Sequence, residues 1–473
     1  MFRYLLKRIL IFIPALLIIS LIAFGLSKMA PGDPVANSLG SEVEKEGADF
    51  QKMYEEKAKE LSLDRPAFYG TITSKAYPDT LYKFTNYLDR HNLKKLIAQY
   101  GNWPAIETYF HSIKALDFVS AEYKKAGGDR MINLRSDLQL LYTTYKDKPI
   151  ESILGKIESQ IAGTDSIALM LQQIVGQDVN NLVENYAAIK TNSNTISLYI
   201  PSVRWYGFDN QYHNWLKKVM ALDFGQSYRT RDNVWTKLQT PLFWTLLLNF
   251  TALFFAFLIA VPIGIFSAIR KSSFFDRFIN LGLFMLYALP TFWIATMLVV
   301  FFTTKEYGAW TDIFASIGIG RTNMDDPFWT RFWIRAPHFI LPVICLTYPS
   351  LAFISRQMRG GMLDVLNKDY IRTAKAKGLS EKMVIKNHAL RNALFPLISL
   401  FAIAFPSALA GSVVIEVIFN IPGLGSEMVA AIFSQDWPVV FSVLYLTAIF
   451  TLVANLIADI FYVLADPRVD FSN

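Results

Sequence analysis

Six long runs of apolar residues are the strongest constraint on this 473-residue chain. A helix needs about 20 mostly apolar residues to cross a bilayer, and each run approaches or exceeds that length. The composition agrees, because 53% of the residues are hydrophobic and 18% are charged, whereas ordinary soluble domains carry about 25% charged residues. The sequence therefore predicts an all-α polytopic membrane protein with six transmembrane helices. The predicted spans are Ile9–Ser27, Leu242–Ala268, Phe278–Thr303, His338–Ile354, Ala393–Phe419 and Val439–Ala465.

Lysine and arginine residues cluster in alternate loops between these runs. They precede the first run, lie between the second and third, and number nine between Arg356 and Arg391, after the fourth. Because cytoplasmic loops carry the excess of such cations, both termini are predicted to be cytoplasmic. The cations of the predicted cytoplasmic loops then explain the net charge of +7, and no nucleic-acid partner is expected. The single cysteine, Cys345, excludes an intrachain disulfide.

The stretch RTAKAKGLSEKMVIKNHALRNALFP, from Arg372 to Pro396, combines many cations with a glycine and a helix-start signal. A short helix is predicted from Asp369 to Lys377, and Gly378 suits the left-handed position just past its end. Ser380 is predicted to cap a second helix. The apolar stripe of that helix comprises Leu379, Met383, Leu390 and Leu394. The pattern alone leaves two interpretations open, an interfacial helix held by anionic lipid or a docking surface for a cytoplasmic partner.

This stretch resembles the cytoplasmic loop of ABC-transporter permease subunits, in the form typical of dipeptide, oligopeptide and nickel importers. Other motifs with the same resemblance follow in the same order: LLKRILIFIPALLIISLIAF leading to MAPGDPV, LDRPAFYG, YHNWLKKVMALDFGQS, EVIFNIPGLG and DIFYVLADPR. The resemblance covers roughly residues 1–70 and 205–473. The broad family begins the loop with Glu-Ala-Ala and closes it with Leu-Pro. Here the loop begins with Arg372, Thr373 and Ala374, and Leu390 is followed by Arg391. The peptide-importer subfamily tolerates these departures, so they favour that subfamily within the broad family.

The resemblance implies the type I ABC importer permease fold, and a subunit that forms half of the pathway for di- or oligopeptides. It also implies the partners, which are a second homologous permease, cytoplasmic ABC ATPase subunits, an extracytoplasmic substrate-binding protein and the lipid bilayer of the bacterial inner membrane. The chain has no G-x-x-x-x-G-K-S/T stretch, the motif that holds nucleotide phosphates in ATPases. ATP and Mg²⁺ are therefore expected to be used by the ATPase subunits, and no enzyme activity or bound cofactor is expected of this chain.

Two alternatives stay open at this point. The same scaffold also imports nickel chelates and other small solutes, so the cargo does not follow from the fold. An ATPase-independent secondary transporter is disfavoured, because such a protein has no use for a helix–glycine–helix loop that docks an ATPase.

There are two groups of candidate residues, neither of them catalytic. The resemblance assigns the coupling loop and the IPGLG element, and Glu416 joins the second group because an ionisable group within a span usually faces a cavity or a partner. The ATPase-docking coupling loop spans residues 359–392 and includes Ala374, Gly378, Leu379, Ser380, Met383, Lys386 and Arg391. A pathway or gate element includes Glu416, Pro422, Gly423 and Gly425. Reasoning from the residues alone leaves open that Glu416 makes a structural hydrogen bond and that IPGLG is an ordinary turn. The five histidines show no metal-ligand spacing, so no metal site is predicted.

The first extracytoplasmic loop is much longer than the family pattern requires. In the family, LDRP is followed closely by a Q-Y-x-x-W-L segment, whereas residues 71–204 intervene here, with mixed charge and helical spacing. These residues are predicted to form a helical extracytoplasmic domain, inserted at a surface loop with its ends close together. The chain then divides into residues 1–30, the outer loop 31–241 with its insert, and a permease core at 242–473.

Overall fold

The computed structural model describes residues 2–30, 32–39, 48–123, 127–305, 307–308, 311, 313–315, 317–323, 325–410 and 412–465. Its contacts separate two compact units. We call Met1–Gly32 together with Leu222–Asn473 the membrane unit, and Asp33–Ala221 the inserted unit.

Helices make up most of both units. The membrane unit begins with α1 (Phe2–Met29). The inserted unit follows with α2 (Pro34–Leu39), α3 (Ala48–Glu60), β1 (Gly70–Ser74), a 3-10 turn (Leu81–Lys83), α4 (Tyr87–Tyr100), α5 (Trp103–Glu122), α6 (Gly128–Leu141), α7 (Asp147–Ile161), α8 (Ser166–Thr191), a 3-10 turn (Thr195–Leu198), β2 (Pro201–Trp205) and α9 (Gln211–Met220). The membrane unit continues with α10 (Val234–Ile269), α11 (Phe274–Ala288), α12 (Thr291–Phe302), α13 (Phe328–Leu366), α14 (Asp369–Ala376), α15 (Glu381–Met383), a π-helical turn (Val384–Ala389), α16 (Leu390–Ala393), α17 (Phe395–Ala410), α18 (Val413–Ile418), α19 (Leu424–Phe433) and α20 (Trp437–Ala465).

Within the described residues, four helices are long and apolar enough to cross a membrane, at Leu6–Met29, Val234–Ile269, Phe328–Leu366 and Trp437–Ile460. They carry the first, second, fourth and sixth predicted spans. α10 begins before its apolar run because Asn233 caps it, the side chain accepting hydrogen bonds from the amides of Trp235 and Thr236. α13 continues through three prolines and extends beyond both ends of the predicted span.

The third and fifth apolar runs are not the single helices that the sequence predicted. α11 and α12 meet at 91° around Leu289, which is extended and precedes Pro290. The residue before a proline is disfavoured in the helical region, and proline itself has no N–H with which to continue a helix. The bent pair therefore counts as at most one further span. The fifth run divides into α17 and α18 at Ser412, whose backbone is extended.

Two clusters of buried apolar side chains hold the described part of the membrane unit together. The loop-side cluster joins α10, α13 and α17 to the segment between α13 and α17, and includes Ala260, Met358 and Val384. The gate-side cluster joins α10, α12, α13 and α18, and includes Leu248 and Ile415. The two groups of candidate residues therefore belong to separate parts of the membrane unit.

The inserted unit has a core of its own. α4 to α8 bury a continuous set of apolar side chains that includes Leu93, Leu134 and Leu171, at the helical spacing expected from the sequence. A two-stranded antiparallel ribbon pairs β1 with β2 and places Gly70 opposite Trp205. The two ends of residues 71–204 are therefore adjacent. The ribbon was not predicted, because its strands are short and the residues that pair are far apart in the sequence.

Candidate functional site

The candidate coupling loop is a pair of short helical segments joined at Gly378. α14 ends at Ala376, and Gly378 follows with φ +79°, the left-handed conformation that the sequence predicted. No atom lies within 4 Å of the position where a Cβ would stand. A larger residue would therefore be strained through its backbone alone, at a cost of roughly 1–2 kcal/mol.

The second segment begins at Glu381, one residue after Ser380, as predicted. Ser380 occupies the N-cap position, but its side chain makes no capping hydrogen bond. The predicted side-chain cap is therefore wrong. The first turn closes instead through the backbone, where the amides of Met383 and Val384 donate to the carbonyl of Ser380 over 2.9 and 3.0 Å.

The inward face of the loop packs on the loop-side cluster. Its buried residues are Ile371, Ala374, Val384, Ala389 and Ala393. Ala374 is thus buried in its own chain and is not available to a docking partner. Along the second segment, Val384 and Ala389 are five positions apart and both fully buried, because the π-helical turn replaces the usual spacing of three or four by five.

The predicted apolar stripe does not form one continuous face. Leu379, Leu390 and Leu394 are half-buried and pack against the loop-side cluster, whereas the Met383 side chain is 47% exposed. The stripe was predicted with α-helical spacing, and the π-helical turn changes the register between Met383 and Leu390. The exposed surface of the second segment instead combines Met383 with the cations Lys386 and Arg391.

A buried ion pair next to this loop was missed by sequence reasoning. Asp276, in the first turn of α11, accepts two hydrogen bonds from Arg359 of α13, from Nε over 2.9 Å and from Nη2 over 2.8 Å. The Ser267 hydroxyl and the Ser272 amide also donate to this carboxylate. The pair connects the start of α11 to α13 at the first residue of the predicted coupling loop, since residues 359–366 of that loop form the last two turns of α13. There was no direct signal in the sequence, because Asp276 lies two residues before the predicted third span and Arg359 is one of nine cations in its loop.

Glu416, the candidate gate residue, is completely buried in this structure. Its carboxylate accepts a hydrogen bond from the Thr245 hydroxyl of α10 over 2.8 Å and from the Ser426 amide of α19 over 3.0 Å. The same Thr245 hydroxyl accepts from the Leu424 amide over 2.8 Å. The carboxylate therefore lies at the N-terminus of α19, where unpaired amides and the helix dipole stabilise negative charge. In this conformation Glu416 makes structural hydrogen bonds and lines no open space.

The glycines of IPGLG are required by close neighbours, Glu416 at Gly423 and both Val413 and Glu416 at Gly425. A Cβ on Gly423 would lie 2.5 and 2.6 Å from the two Glu416 carboxylate oxygens, and one on Gly425 would lie 2.7 Å from the Val413 Cα and 2.9 Å from one of those oxygens. All four distances are too short for a non-bonded contact. Glu416, Gly423 and Gly425 thus form one compact arrangement, whereas Pro422 between them is exposed. IPGLG forms a turn, and the lack of a Cβ on its glycines leaves room for the Glu416 carboxylate.

A second polar network joins α19 to the start of α10 and the start of α20. Lys237 Nζ lies 2.9 Å from Glu427 and 3.5 Å from Asp436. Asp436 is fully buried and also accepts hydrogen bonds from the Ser227 hydroxyl and the Tyr228 amide. The first turn of α19 is therefore held by Glu416 and by Lys237, and Lys237 also connects it to Asp436, which follows the end of α19.

Comparisons with known proteins identify a family model and several relatives that resemble this chain. The family model described as binding-protein-dependent transport system inner membrane component matches residues 260–471. The oligopeptide transport system permease protein AppB of Bacillus subtilis is 38% identical over 262 residues, covering 55% of this chain and 80% of AppB. The dipeptide transport system permease protein DppB of Escherichia coli is 35% identical over 272 residues, covering 55% of this chain and 80% of DppB.

A third relative is named for a different cargo. The metal-staphylopine import system permease protein CntB of Staphylococcus aureus is 33% identical over 267 residues, covering 56% of this chain and 79% of CntB. In all three comparisons the matched region covers 79–80% of the relative's own length. The long apolar helices are those expected of a multi-pass membrane component. The chain belongs to the family of binding-protein-dependent transport system inner membrane components, as a permease subunit.

Proposed function

We propose that this chain is the permease subunit of an ATP-driven importer that carries di- or oligopeptides across the bacterial inner membrane. It spans the membrane six times in the type I importer fold, with the bent α11–α12 pair as the third span and α17–α18 as the fifth. Both termini are cytoplasmic and the inserted unit is extracytoplasmic. The observation that carries the proposal is the exposed, cationic surface of the coupling loop, supported on its inner face by the loop-side cluster.

This loop is suited to bind a separate ATPase. Met383 is 47% exposed, and Lys386 and Arg391 are exposed on the same helical segment. An apolar side chain with flanking cations is the combination that fills a pocket and orients the approach of an acidic partner surface. An interfacial helix resting on lipid would instead place its apolar side chains on one face, whereas Leu379, Leu390 and Leu394 pack inward.

The remaining partners follow from the family's dependence on a binding protein and from the relatives' names. A second, homologous permease completes the pathway, and a substrate-binding protein delivers the cargo at the extracytoplasmic face. ATP and Mg²⁺ act in the ATPase subunits, whose closure rocks the paired permeases between outward- and inward-open states. We propose that α18 and α19, held by Glu416, Gly423 and Gly425, form the gate element, and that the buried carboxylate stabilises the conformation described here.

The docking role is tested by comparing Met383→Asp with Met53→Asp. Met53 lies in the inserted unit and is 41% exposed, so it provides a matched control. Full burial of a methionine side chain contributes about 1.5–3 kcal/mol, and about half of that is available to Met383, which is 47% exposed. Met383→Asp is therefore expected to weaken co-purification of the ABC ATPase subunits by roughly three- to tenfold. Met53→Asp should leave co-purification unchanged. Equal ATPase recovery with both variants would contradict docking at this loop.

Gly378→Val tests the bend in the same assay. The variant should insert in the membrane normally, since a Cβ at this position meets no atom within 4 Å. ATPase association and uptake should fall, because the left-handed bend is disfavoured for a β-branched residue. Unchanged uptake and assembly would mean that the loop is only an interfacial helix.

Peptides are the favoured cargo because AppB and DppB are named for oligopeptide and dipeptide transport. Import of a metal chelate is the second candidate, favoured by the similarity to CntB. Uptake of a labelled peptide, competed with unlabelled peptides and with metal chelates in cells that express the complete system, separates the two. An ATPase-independent secondary transporter would continue uptake when the ATPase subunits are inactivated.

The proposed topology is tested with single cysteines in a Cys345→Ser background. Cysteines at Lys375 in α14 and at Lys148 in α7 should react with an impermeant thiol reagent from opposite sides of the inner membrane. Reaction of both positions from outside intact cells would contradict the orientation and the docking proposal together.

A further inference from the structure

A half-open apolar cavity lies among α1, α18, α19 and α20 of the membrane unit. Its volume is about 420 Å³. α20 forms one wall with side chains between Val443 and Leu452, α19 contributes Gly425 and Met428, and α1 contributes Ile19. Protein interiors contain few voids larger than a water molecule, so a gap of this size needs an occupant.

An ion pair between α1 and α20 shows where the cavity lies along the spans. Arg8 Nε of α1 lies 3.0 Å from the Asp459 carboxylate of α20, and charges near the ends of spanning helices lie at the edge of the hydrocarbon layer. Ile19 and Ala448, which both line the cavity, are each eleven residues from this pair, about 16 Å along a helix. Since the hydrocarbon layer is about 30 Å thick, the cavity lies near its centre.

The lining of the cavity is unsuited to water. Of the residues that line it, only Thr447 and Thr451 have polar side chains. The Thr451 hydroxyl already donates to the Thr447 carbonyl over 2.8 Å. A buried water needs about two to four polar partners, and apolar cavities stay dry. The cavity is therefore a site for an apolar group.

The surface of α1 shows which apolar group lies next to the cavity. α1 packs on α20 and leaves Leu17, Ile18, Leu21 and Ile22 between 41% and 57% exposed. In a membrane component, apolar side chains exposed at this depth contact acyl chains. The cavity is continuous with that lipid-facing surface, because Ile19 belongs to the same turn of α1 as Ile18 and Leu21.

The volume also fits a lipid chain. A cavity of about 150 Å³ holds benzene, which has six carbon atoms. In proportion, a cavity of about 420 Å³ accommodates an acyl chain of roughly sixteen carbon atoms.

We propose that the cavity binds one acyl chain of a membrane phospholipid. The chain lies along α20 and contacts Gly425 and Met428 of α19, which is part of the proposed gate element. It fills a gap beside α19 that the protein itself leaves open. Bound lipid therefore supports α19 in the position described here.

The inference is tested with a phosphatidylglycerol that carries a diazirine in one acyl chain. The full-length chain is reconstituted in nanodiscs with this lipid and irradiated, and the adducts are located by mass spectrometry. Met428 should be labelled, and Ile18 on the lipid-facing surface of α1 is the positive control. Ala448→Phe places a larger side chain in the cavity, so it should reduce labelling of Met428 several-fold while Ile18 stays labelled. Ala430→Phe, at an exposed position of α19 outside the cavity lining, is the matched control and should change neither.

Two results would overturn the inference. If Met428 is not labelled in the unaltered chain although Ile18 is, then protein covers the cavity or α19 closes it. If Ala448→Phe leaves labelling of Met428 unchanged, then lipid reaches that residue from outside the cavity. Ala448→Leu is a smaller filling that should give a partial loss of labelling, and it keeps the test decisive if phenylalanine disturbs the packing of α20. The labelling requires only that the chain lies in a bilayer, so its failure is separate from failure of the proposed import function.

Discussion

The close approach of Gly423 to Glu416 allows a sharp prediction about the gate element. Gly423 has φ −101°, which any residue can adopt, so an alanine there introduces no backbone strain. The added methyl group would instead stand 2.5 and 2.6 Å from the two carboxylate oxygens of Glu416. Gly423→Ala must therefore displace either the carboxylate or the N-terminus of α19.

The cost follows from the hydrogen bonds that would be lost. Displacement breaks the bonds from the Thr245 hydroxyl and the Ser426 amide to a carboxylate that is fully buried. Hydrogen bonds to charged groups contribute about 1.5–3 kcal/mol each, so the local free energy of opening should fall by about 3 kcal/mol or more. Since 1.4 kcal/mol corresponds to a factor of ten, the amides of Leu424 and Ser426 should exchange roughly a hundredfold faster.

Hydrogen exchange measured by mass spectrometry on peptides that cover residues 421–430 provides the assay. Gly282→Ala is the control, because a Cβ there meets no atom within 4 Å, and exchange of these peptides should not change. In a Glu416→Ala background the obstructing carboxylate is absent, so Gly423→Ala should have little further effect. The reasoning is refuted if Gly423→Ala leaves exchange unchanged, or accelerates it equally in both backgrounds.

The other predictions concern the buried ion pair, the inserted unit and its removal. Arg359→Gln leaves a buried carboxylate without its partner, which typically costs about 3–5 kcal/mol, so the thermal unfolding midpoint in detergent should fall markedly. Arg277→Gln, an exposed neighbour of that carboxylate, should leave the midpoint unchanged. Burial raises the pKa of Asp89 to about 6, above its ordinary value of about 4. The folded unit therefore binds the proton more tightly than the unfolded chain does. Its free energy of unfolding should fall as pH rises from about 4 through about 6. Asp89→Asn should abolish this dependence in exchange measurements on α4, and a slope equal to that of the unaltered chain would contradict it. Joining Gly70 to Tyr206 through a short Gly/Ser linker should preserve membrane insertion and ATPase binding while uptake weakens, and a shortened chain that fails to insert would make the insert part of the core fold.

Much of the fold follows from local features of the sequence. The length and composition of the apolar runs located α1, α10, α13 and α20, since a segment of that kind is stable in hydrocarbon only as a helix. Gly378 was found for an equally local reason, because one residue's backbone freedom decides whether the chain can turn there. The bend at Pro290 also depends on neighbouring residues in the sequence, but the length of the apolar run alone does not reveal it.

The polar contacts were decided by tertiary structure alone. Asp276 and Arg359 lie on different helices, and so do Glu416 and Thr245, so no spacing along the chain indicates that they pair. A buried charge must find its partner wherever the fold brings one, and only the packing of α10, α11, α13 and α18 determines which side chains meet. The pairing of β1 with β2 was likewise decided by tertiary structure, although its contacts are backbone hydrogen bonds. These strands have hydrogen-bonding partners because α4 to α8, which lie between them in the sequence, return the chain so that residue 205 lies opposite residue 70.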